Sequence, residues 1–512
     1  LIRADPRLLR LETRKAQAQS IPMSYLLDRA VKRSGSKAAP SLAKSSSHDT
    51  KPPPKLLQFM MTNWRGASNK PVKPLKAAAA HAARRRALSA LFPGDTLVIP
   101  TGHEKIRAND TVYRFRPGSD FFYLTGNLEP DCVLVLVPKG RRGHVSHLFV
   151  EPNPGRSDAT FFTNRAKGEL WVGPRLGIAG SKRKYRIEHT HPLERLDDFL
   201  AARGKTRLLR GIDGTLDAEY DENVRDSALA AALSELRLFK DPAEIGELKA
   251  VIASTQRGFE DVIARVKRAK SEREVEGVFA LRARVEGNDV GYGTIAAAGA
   301  HACILHWTHN DGALKRGDLL LLDAGVEGHS LYTADITRTL PLNGKFSLAQ
   351  RDIYALVWLA QQAALRAVKP GNDFMEPNRR AQQVLAQGLE RLGILPTTAE
   401  EALKDEHQFH KRYSLHNVSH MLGLDVHDCA KARAQAYKLG PLKPGMVLTV
   451  EPGLYFQKDD LTVPVKYRGI GVRIEDDVLV TRTGFTNLSK SIPSSPDAVE
   501  KWMKRVWRKA RR

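Results

Sequence analysis

At 512 residues with 42% hydrophobic content, the chain exceeds one ordinary domain and can bury two cores. No apolar run approaches the roughly 20 residues of a membrane-spanning helix, and the three cysteines, Cys132, Cys303 and Cys429, lie too far apart for a disulfide framework or a zinc knuckle. The net charge of +24 sits mostly at the ends: 15 Lys and Arg against four Asp and Glu up to Leu75, and seven basic residues with no acidic one from Lys501, so the ends hold +18. A nearly balanced body with solvated basic ends is expected, with no specific nucleic acid and no membrane as partner, in a reducing cytoplasm.

Residues 1–75 carry Ser45-Ser46-Ser47 and Pro52-Pro53-Pro54 and little periodicity, and are expected to be a disordered extension. The opening Leu1, with Met60 and Met61 downstream, equally fits a start-site artefact, and the Arg-, Ser- and Ala-rich composition could pass for an organellar transit segment. Residues 76–240 read as a smaller amino-terminal α/β domain. Its predicted elements are a helix over 75–91, strands at 95–100, 132–138 and 207–212, and a helix over 218–236. Aromatics interleaved with Arg from Tyr113 to Gly126 could stack on bases, but packing and a domain-contact loop are the simpler reading.

Asp241-Pro242, an N-cap followed by a first-turn proline, opens a second domain over 241–500. Ile245, Leu248, Ile252, Phe259, Ile263 and Val266 recur at helical spacing, and Ser271-Glu-Arg-Glu274 is a capping box for the next helix. Gly291-Tyr-Gly293-Thr-Ile-Ala296 matches a dinucleotide fingerprint only as a pattern, because it follows a helix, not a strand. Helices are expected over 346–368, stopped by Pro370-Gly371, and over 377–392. Residues 501–512 read as a basic tail.

The chemistry centres on Asp318 to Leu340. Two strand-like runs flank Gly328-His329-Ser330, which predicts a hairpin. A turn centred on His329 sets Asp323 opposite Asp335. Like charges so placed destabilise a sheet, which points either to a bound cation or to two solvated aspartates. Glu451 ends one apolar β-branched run and Glu475 interrupts another; a carboxylate there is costly unless paired or metal-bound. With His420 the set is two Asp, two Glu and one His, a mostly oxygen donor set suited to two hard divalent ions such as manganese.

LLLLDAG with DITRTLPLNGKF, SHMLGLDVHD, KPGMVLTVEPGLYF and YRGIGVRIEDD occur in that order, and they resemble the signature blocks of aminopeptidase P (Xaa-Pro aminopeptidase), a dinuclear pita-bread metallopeptidase. The similarity runs from about residue 80 to about 500. Asn417 stands where the pattern usually has Gly, and Cys429-Ala430 follows the last His block; neither removes a ligand.

The resemblance implies a pita-bread catalytic domain in which Asp335 and Glu475 bridge two divalent ions, expected to be Mn2+. Asp323 holds one ion, and His420 and Glu451 complete the other. It implies attack of a metal-bridging hydroxide on the bond between the first residue and proline of an Xaa-Pro peptide, with Glu451 as proton shuttle. His306 and His427 stand in blocks that contact the scissile peptide. His416 shares a face with His420 if the segment is helical, which a buried packing pair would also do. Arg473, two residues from Glu475, can steady a carboxylate or form a surface salt bridge, and Tyr455 is a substrate-site or a core tyrosine. A homodimer or homotetramer is implied. The same ligands serve prolidase on dipeptides. Methionine aminopeptidase usually lacks the large amino-terminal domain, and a non-catalytic pita-bread scaffold typically loses ligands that are all present here.

Overall fold

The computed structural model describes residues 51–65, 71–109, 111–140 and 143–510. The chain divides between Leu233 and Ser234 into two compact units, each with its own apolar core. That division falls a few residues before the Asp241-Pro242 boundary read from the sequence.

Residues 1–50 and 66–70 of the expected extension lie outside the described residues. Within that stretch Pro54–Met60 is a helix (α1), and Trp64 sits 6.3 and 6.2 Å from the rings of Phe161 and Phe162. The segment 51–65 is thus ordered against expectation, because an aromatic side chain there has partners to pack on. The first unit then runs through α2 (Ala78–Leu91), β1 (Thr96–Pro100), β2 (Val133–Pro138), β3 (His144–Val150), β4 (His189–Pro192) and β5 (Thr206–Leu208). The five strands form one mixed sheet in the order β4-β3-β2-β1-β5. The helix expected over 218–236 is instead two, Gly214–Glu219 and Asp226–Arg237. Asp213 starts the first by accepting from the Thr215 and Leu216 N–H groups, and Asp226, held by the Leu208 N–H and Arg210, starts the second.

The second unit opens on α3 (Pro242–Val266). Asp241 caps it, and Glu244 reaches back to the Asp241 N–H, so both halves of a capping box are present. α4 (Glu272–Glu286) follows, with Ser271 accepting from the Glu274 N–H; the Glu274 carboxylate turns to the Lys270 N–H and leaves that box half complete. Next come β6 (Asp289–Val290), β7 (Ile295–Ala298), β8 (Leu319–Ala324), β9 (Val326–Glu327) and β10 (Ile336–Pro341). α5 (Leu348–Ala367) and α6 (Glu376–Arg391) lie within a residue or two of the helices expected there. The remaining strands are β11 (Val447–Val450), β12 (Gly453–Tyr455), β13 (Gly471–Arg473), β14 (Asp476–Val480) and β15 (Phe485–Asn487). Antiparallel sheets form in the orders β10-β8-β7 and β11-β14-β15, with β9 paired to β6 and β12 to β13.

Two expectations are corrected here. β8 and β10 do pair antiparallel, but Asp323 faces Thr337, not Asp335. The hairpin keeps this register past Ala324: Glu327 bridges Thr333 and the Gly328 N–H donates to the Tyr332 carbonyl at 2.9 Å, so the turn spans His329 to Leu331, with Leu331 in the left-handed region, and centres on Ser330, one residue later than expected. Gly325 allows the two strands to approach closely between these pairs: a Cβ there would lie 1.7 Å from the Ala334 carbonyl oxygen. The basic tail, in turn, is largely helix α7 (Pro496–Lys509). Its Val499, Trp502, Met503, Val506 and Trp507 recur at helical spacing and are buried in the core of the second unit, leaving Lys501, Lys504, Arg505, Arg508 and Lys509 on the opposite, exposed face.

Candidate metal centre and peptide pocket

Five strand ends and loops of the second unit converge. Asp323 is the penultimate residue of β8 and Asp335 immediately precedes β10. His420 lies in an irregular loop tied to β11, where its N–H donates to Thr449 Oγ1 at 3.1 Å and its carbonyl accepts from the Thr449 N–H at 3.0 Å. Glu451 follows β11, and Glu475 sits between β13 and β14 with its N–H on the Thr337 carbonyl at 3.1 Å.

The geometry brings the expected ligand set together. Asp335, His420 and Glu475 each offer a donor atom within 4.8 Å of the others. His420 Nε2 lies 3.3 Å from Asp335 and 3.4 Å from Glu451, while its Nδ1 donates to the Met421 carbonyl at 3.1 Å, which turns Nε2 inward. Asp323, Asp335 and Glu475 are buried; Glu451 is only half-buried and opens on a cavity of about 600 Å3. His306, His416, His427, Tyr292 and Arg473 also line it.

Four carboxylates thus gather around the Arg473 guanidinium and the His420 imidazole. Burial and mutual repulsion push the Glu475 carboxyl well above the ordinary range, and burial moves Asp323 the same way against the pull of Arg473. Burial raises Glu451 to about 7, opposed by His420 and Arg473. For His420, burial works against the charged form, but Asp335 and Glu451 override it and lift the imidazole to about 9. A cluster so rich in buried negative charge calls for cations, and its oxygen-dominated donors fit hard divalent ions.

Arg473 organises one wall. Its guanidinium donates to Asp323 Oδ2 at 2.5 Å, to the Tyr455 hydroxyl at 3.0 Å and to Thr337 Oγ1 at 3.2 Å. With its oxygen occupied by Arg473, the Tyr455 phenol donates to His416 Nε2 at 2.7 Å, and His416 Nδ1–H donates to the Asn417 carbonyl at 2.9 Å. His416 is held near the site by Tyr455 and not by helical spacing, since the segment 414–420 is irregular. Burial and the Arg473 charge pull its pKa down to about 4, which keeps it neutral. His427 packs edge-on against His420, ring centres 4.5 Å apart. His306 and His427 are exposed at the cavity wall.

Two site residues were not singled out from the sequence. The Tyr292 hydroxyl bridges Asp323 Oδ1 at 2.7 Å and Asp335 Oδ1 at 2.5 Å. The Thr337 hydroxyl donates to Glu475 Oε2 at 2.7 Å while accepting from Arg473. Tyr292 lies inside the Gly291-Tyr-Gly293 stretch set aside as a false nucleotide motif; its signal was an aromatic hydroxyl between two glycines, one of which abuts Thr333.

Comparison with known proteins agrees with this geometry. Metallopeptidase family M24 matches residues 246–482, and the Aminopeptidase P, N-terminal domain family matches residues 81–209. Xaa-Pro aminopeptidase 1 of Streptomyces coelicolor is 50% identical over 453 residues, covering 88% of this chain and 91% of that protein. The Xaa-Pro aminopeptidase of Escherichia coli is 34% identical over 449 residues, covering 82% and 96%. A variant of Escherichia coli aminopeptidase P solved with substrate superposes with a TM-score of 0.76 at 32% identity, covering 84% of this chain and 99% of that one. Aminopeptidase PepP of Pseudomonas aeruginosa gives 0.75 at 33% identity, covering 85% and 99%.

Fold and site together define a pita-bread metallopeptidase of family M24, preceded by an aminopeptidase P amino-terminal domain. Within that class the chain belongs to the aminopeptidase P (Xaa-Pro aminopeptidase) family. It is a hydrolase, a metal-dependent aminopeptidase.

Proposed function

We propose that the chain releases the first residue from peptides with proline in second position, using Asp323, Asp335, His420, Glu451 and Glu475 to hold two Mn2+ ions. The observation that carries the metal assignment is the excess of buried carboxylate over cationic side chains around one open cavity. When bound, such ions supply a hydroxide at neutral pH and polarise the scissile carbonyl. The substrate class is supported by the relatives, which are named as Xaa-Pro aminopeptidases.

The protein groups divide the remaining work. Asp335 and Glu475, the most buried of the four carboxylates, would hold both ions, as the resemblance to aminopeptidase P implies. Glu451 is the least buried of the four carboxylates that line the cavity, so it can accept a proton from water and pass it to the proline nitrogen. That nitrogen is tertiary and leaves poorly unless protonated. His306 and His427 face the peptide, and neutral His416, backed by the buried Tyr455, lines the wall beside Arg473. Arg473 keeps Asp323 oriented through a charge-assisted hydrogen bond.

A cytoplasmic setting is supported by three buried, unbridged cysteines. Among the described residues no helix is long and apolar enough to cross a membrane. A homodimer or homotetramer is part of the same reading, by analogy with the family.

The test is a hydrolysis assay on the manganese-loaded protein with Xaa-Pro and Xaa-Pro-Yaa peptides. Release of the first residue alone from the longer peptides is expected. Cleavage restricted to dipeptides would make it a prolidase, and no cleavage of either would favour a scaffold.

A further inference from the structure

Glu272, the first residue of α4, is fully buried with no exposed surface. Its Oε1 accepts from the Ala298 N–H at 2.6 Å and from His301 Nδ1 at 2.9 Å. Its Oε2 accepts from the Trp307 indole N–H at 2.8 Å and the Gly312 N–H at 2.7 Å. These four donors span one loop, 298–312, from its first residue to its last. The Glu272 N–H closes the circuit by donating to the Gly312 carbonyl at 2.9 Å. Gly312 has to be glycine for that approach, since a Cβ would lie 2.7 Å from His301 Nδ1 and 2.8 Å from the carboxylate. His301 and Trp307 also lie ring to ring, centres 4.0 Å apart.

The same loop presents His306 and Thr308 to the peptide cavity. Its near side is fixed separately: the Cys303 carbonyl accepts from Gln457 at 2.8 Å, and the Cys303 thiol donates to the Phe456 carbonyl at 3.2 Å. Its far side has a second anchor in buried Asn310, which accepts from the Ala296 N–H and donates to the Thr294 carbonyl, both at 2.9 Å, so what depends on Glu272 is the stretch from Ile304 to His309, with His306 and Trp307 in it. All four partners are donors, so a carboxylate fits and an amide does not: one end of a glutamine would aim N–H groups at N–H groups.

We infer that Glu272 is a positioning residue for peptide hydrolysis, holding the loop so that His306 faces the scissile peptide. This rests on the placement of His306 in the substrate site proposed above.

The experiment is a double-mutant cycle on the full-length protein with an Xaa-Pro-Yaa peptide: wild type, Glu272→Gln, His306→Ala and the double variant. kcat, KM and bound manganese are measured for each. Glu272→Gln is expected to lower kcat/KM about tenfold with manganese content unchanged, and to cost less than about twofold more in the His306→Ala background. The same factor in both backgrounds, lost manganese or unchanged activity would overturn the inference. A silent His306→Ala would overturn the site reading and this inference with it. If Glu272→Gln does not fold, Trp307→Phe deletes one indole donor and runs the same cycle, with a loss of about threefold expected in wild type and none beyond His306→Ala.

Discussion

Thr337 is a small polar side chain at the metal centre, yet it touches two charges, donating to Glu475 and accepting from Arg473. Thr337→Val keeps the shape and removes both contacts. Side chains that orient a metal ligand typically cost about 10- to 100-fold in activity or metal affinity when lost, so a fall of that size in kcat/KM is expected, with circular dichroism unchanged. Tyr292→Phe removes the hydroxyl that spans Asp323 and Asp335 and is expected to weaken manganese binding about tenfold or more, read by titrating activity against free manganese. Wild-type affinity in Tyr292→Phe would show that the bridge does not organise the ligands. Four of the five candidate ligands were legible because a carboxylate in an apolar strand run is anomalous by itself, and His420 through the resemblance of the block SHMLGLDVHD. Tyr292 and Thr337 carry no such anomaly. A tyrosine or a threonine is ordinary in a strand or loop, and their partners lie far along the chain.

At the scale of elements, local rules succeeded where the signal was local. Asp241-Pro242 marks the start of α3 to the residue, because a cap and a first-turn proline act within one turn. The Asp323–Asp335 register failed because the turn closes between Gly328 and Tyr332 with Leu331 in the left-handed region, which centres it on Ser330 and not on His329 and shifts every cross-strand partner by two. Helix α7 was hidden by its charge. The apolar stripe was present, but seven basic residues in twelve read as a solvated run. Trp502→Ala, which empties a fully buried site and loses the bond from the indole to Glu260, is expected to destabilise the second unit by about 3–5 kcal/mol. Lys504→Ala, on the exposed face, is expected to change stability by no more than about 0.5 kcal/mol. Urea unfolding of both variants checks the contrast, and equal effects would contradict the packing of α7.

A further element-scale prediction concerns the first unit. His103 lies between Asp131, 2.6 Å from Nδ1, and Asp213, 3.0 Å from Nε2. Burial disfavours its charge, but the two carboxylates win and raise the pKa from 6.5 to about 9. A folded-state pKa raised above the unfolded one contributes stability that is full below about pH 6.5 and is lost as pH rises through about 9. Thermal unfolding of the first unit, followed between pH 6 and 10, is expected to fall over that window in wild type and to lose this component in His103→Asn. An identical pH profile in the two proteins would remove His103 from the account.

For the whole molecule, the net charge of +24 turned out to be a poor guide to function. Part of it lies on the outer face of α7, and the chemistry sits in a cavity lined by acidic groups. Fold class, the pair of α/β units and the catalytic family were legible because several separated blocks agreed, each with its own physical reason. What the sequence does not carry is the second layer: the Arg473–Tyr455–His416 chain, the Tyr292 bridge and the Glu272 anchor all depend on tertiary approach.

The central claim is that Asp323, Asp335, His420, Glu451 and Glu475 hold two divalent ions on which peptide cleavage depends. The most direct measurement is the metal content of the protein, stripped with chelator and dialysed against manganese, alongside hydrolysis of an Xaa-Pro-Yaa peptide, for wild type and Glu475→Ala. Two ions per chain and activity restored by manganese are expected for wild type, with Glu475→Ala folded, depleted of metal and inactive. Full activity in Glu475→Ala, or in a wild-type protein that binds no metal, would contradict it.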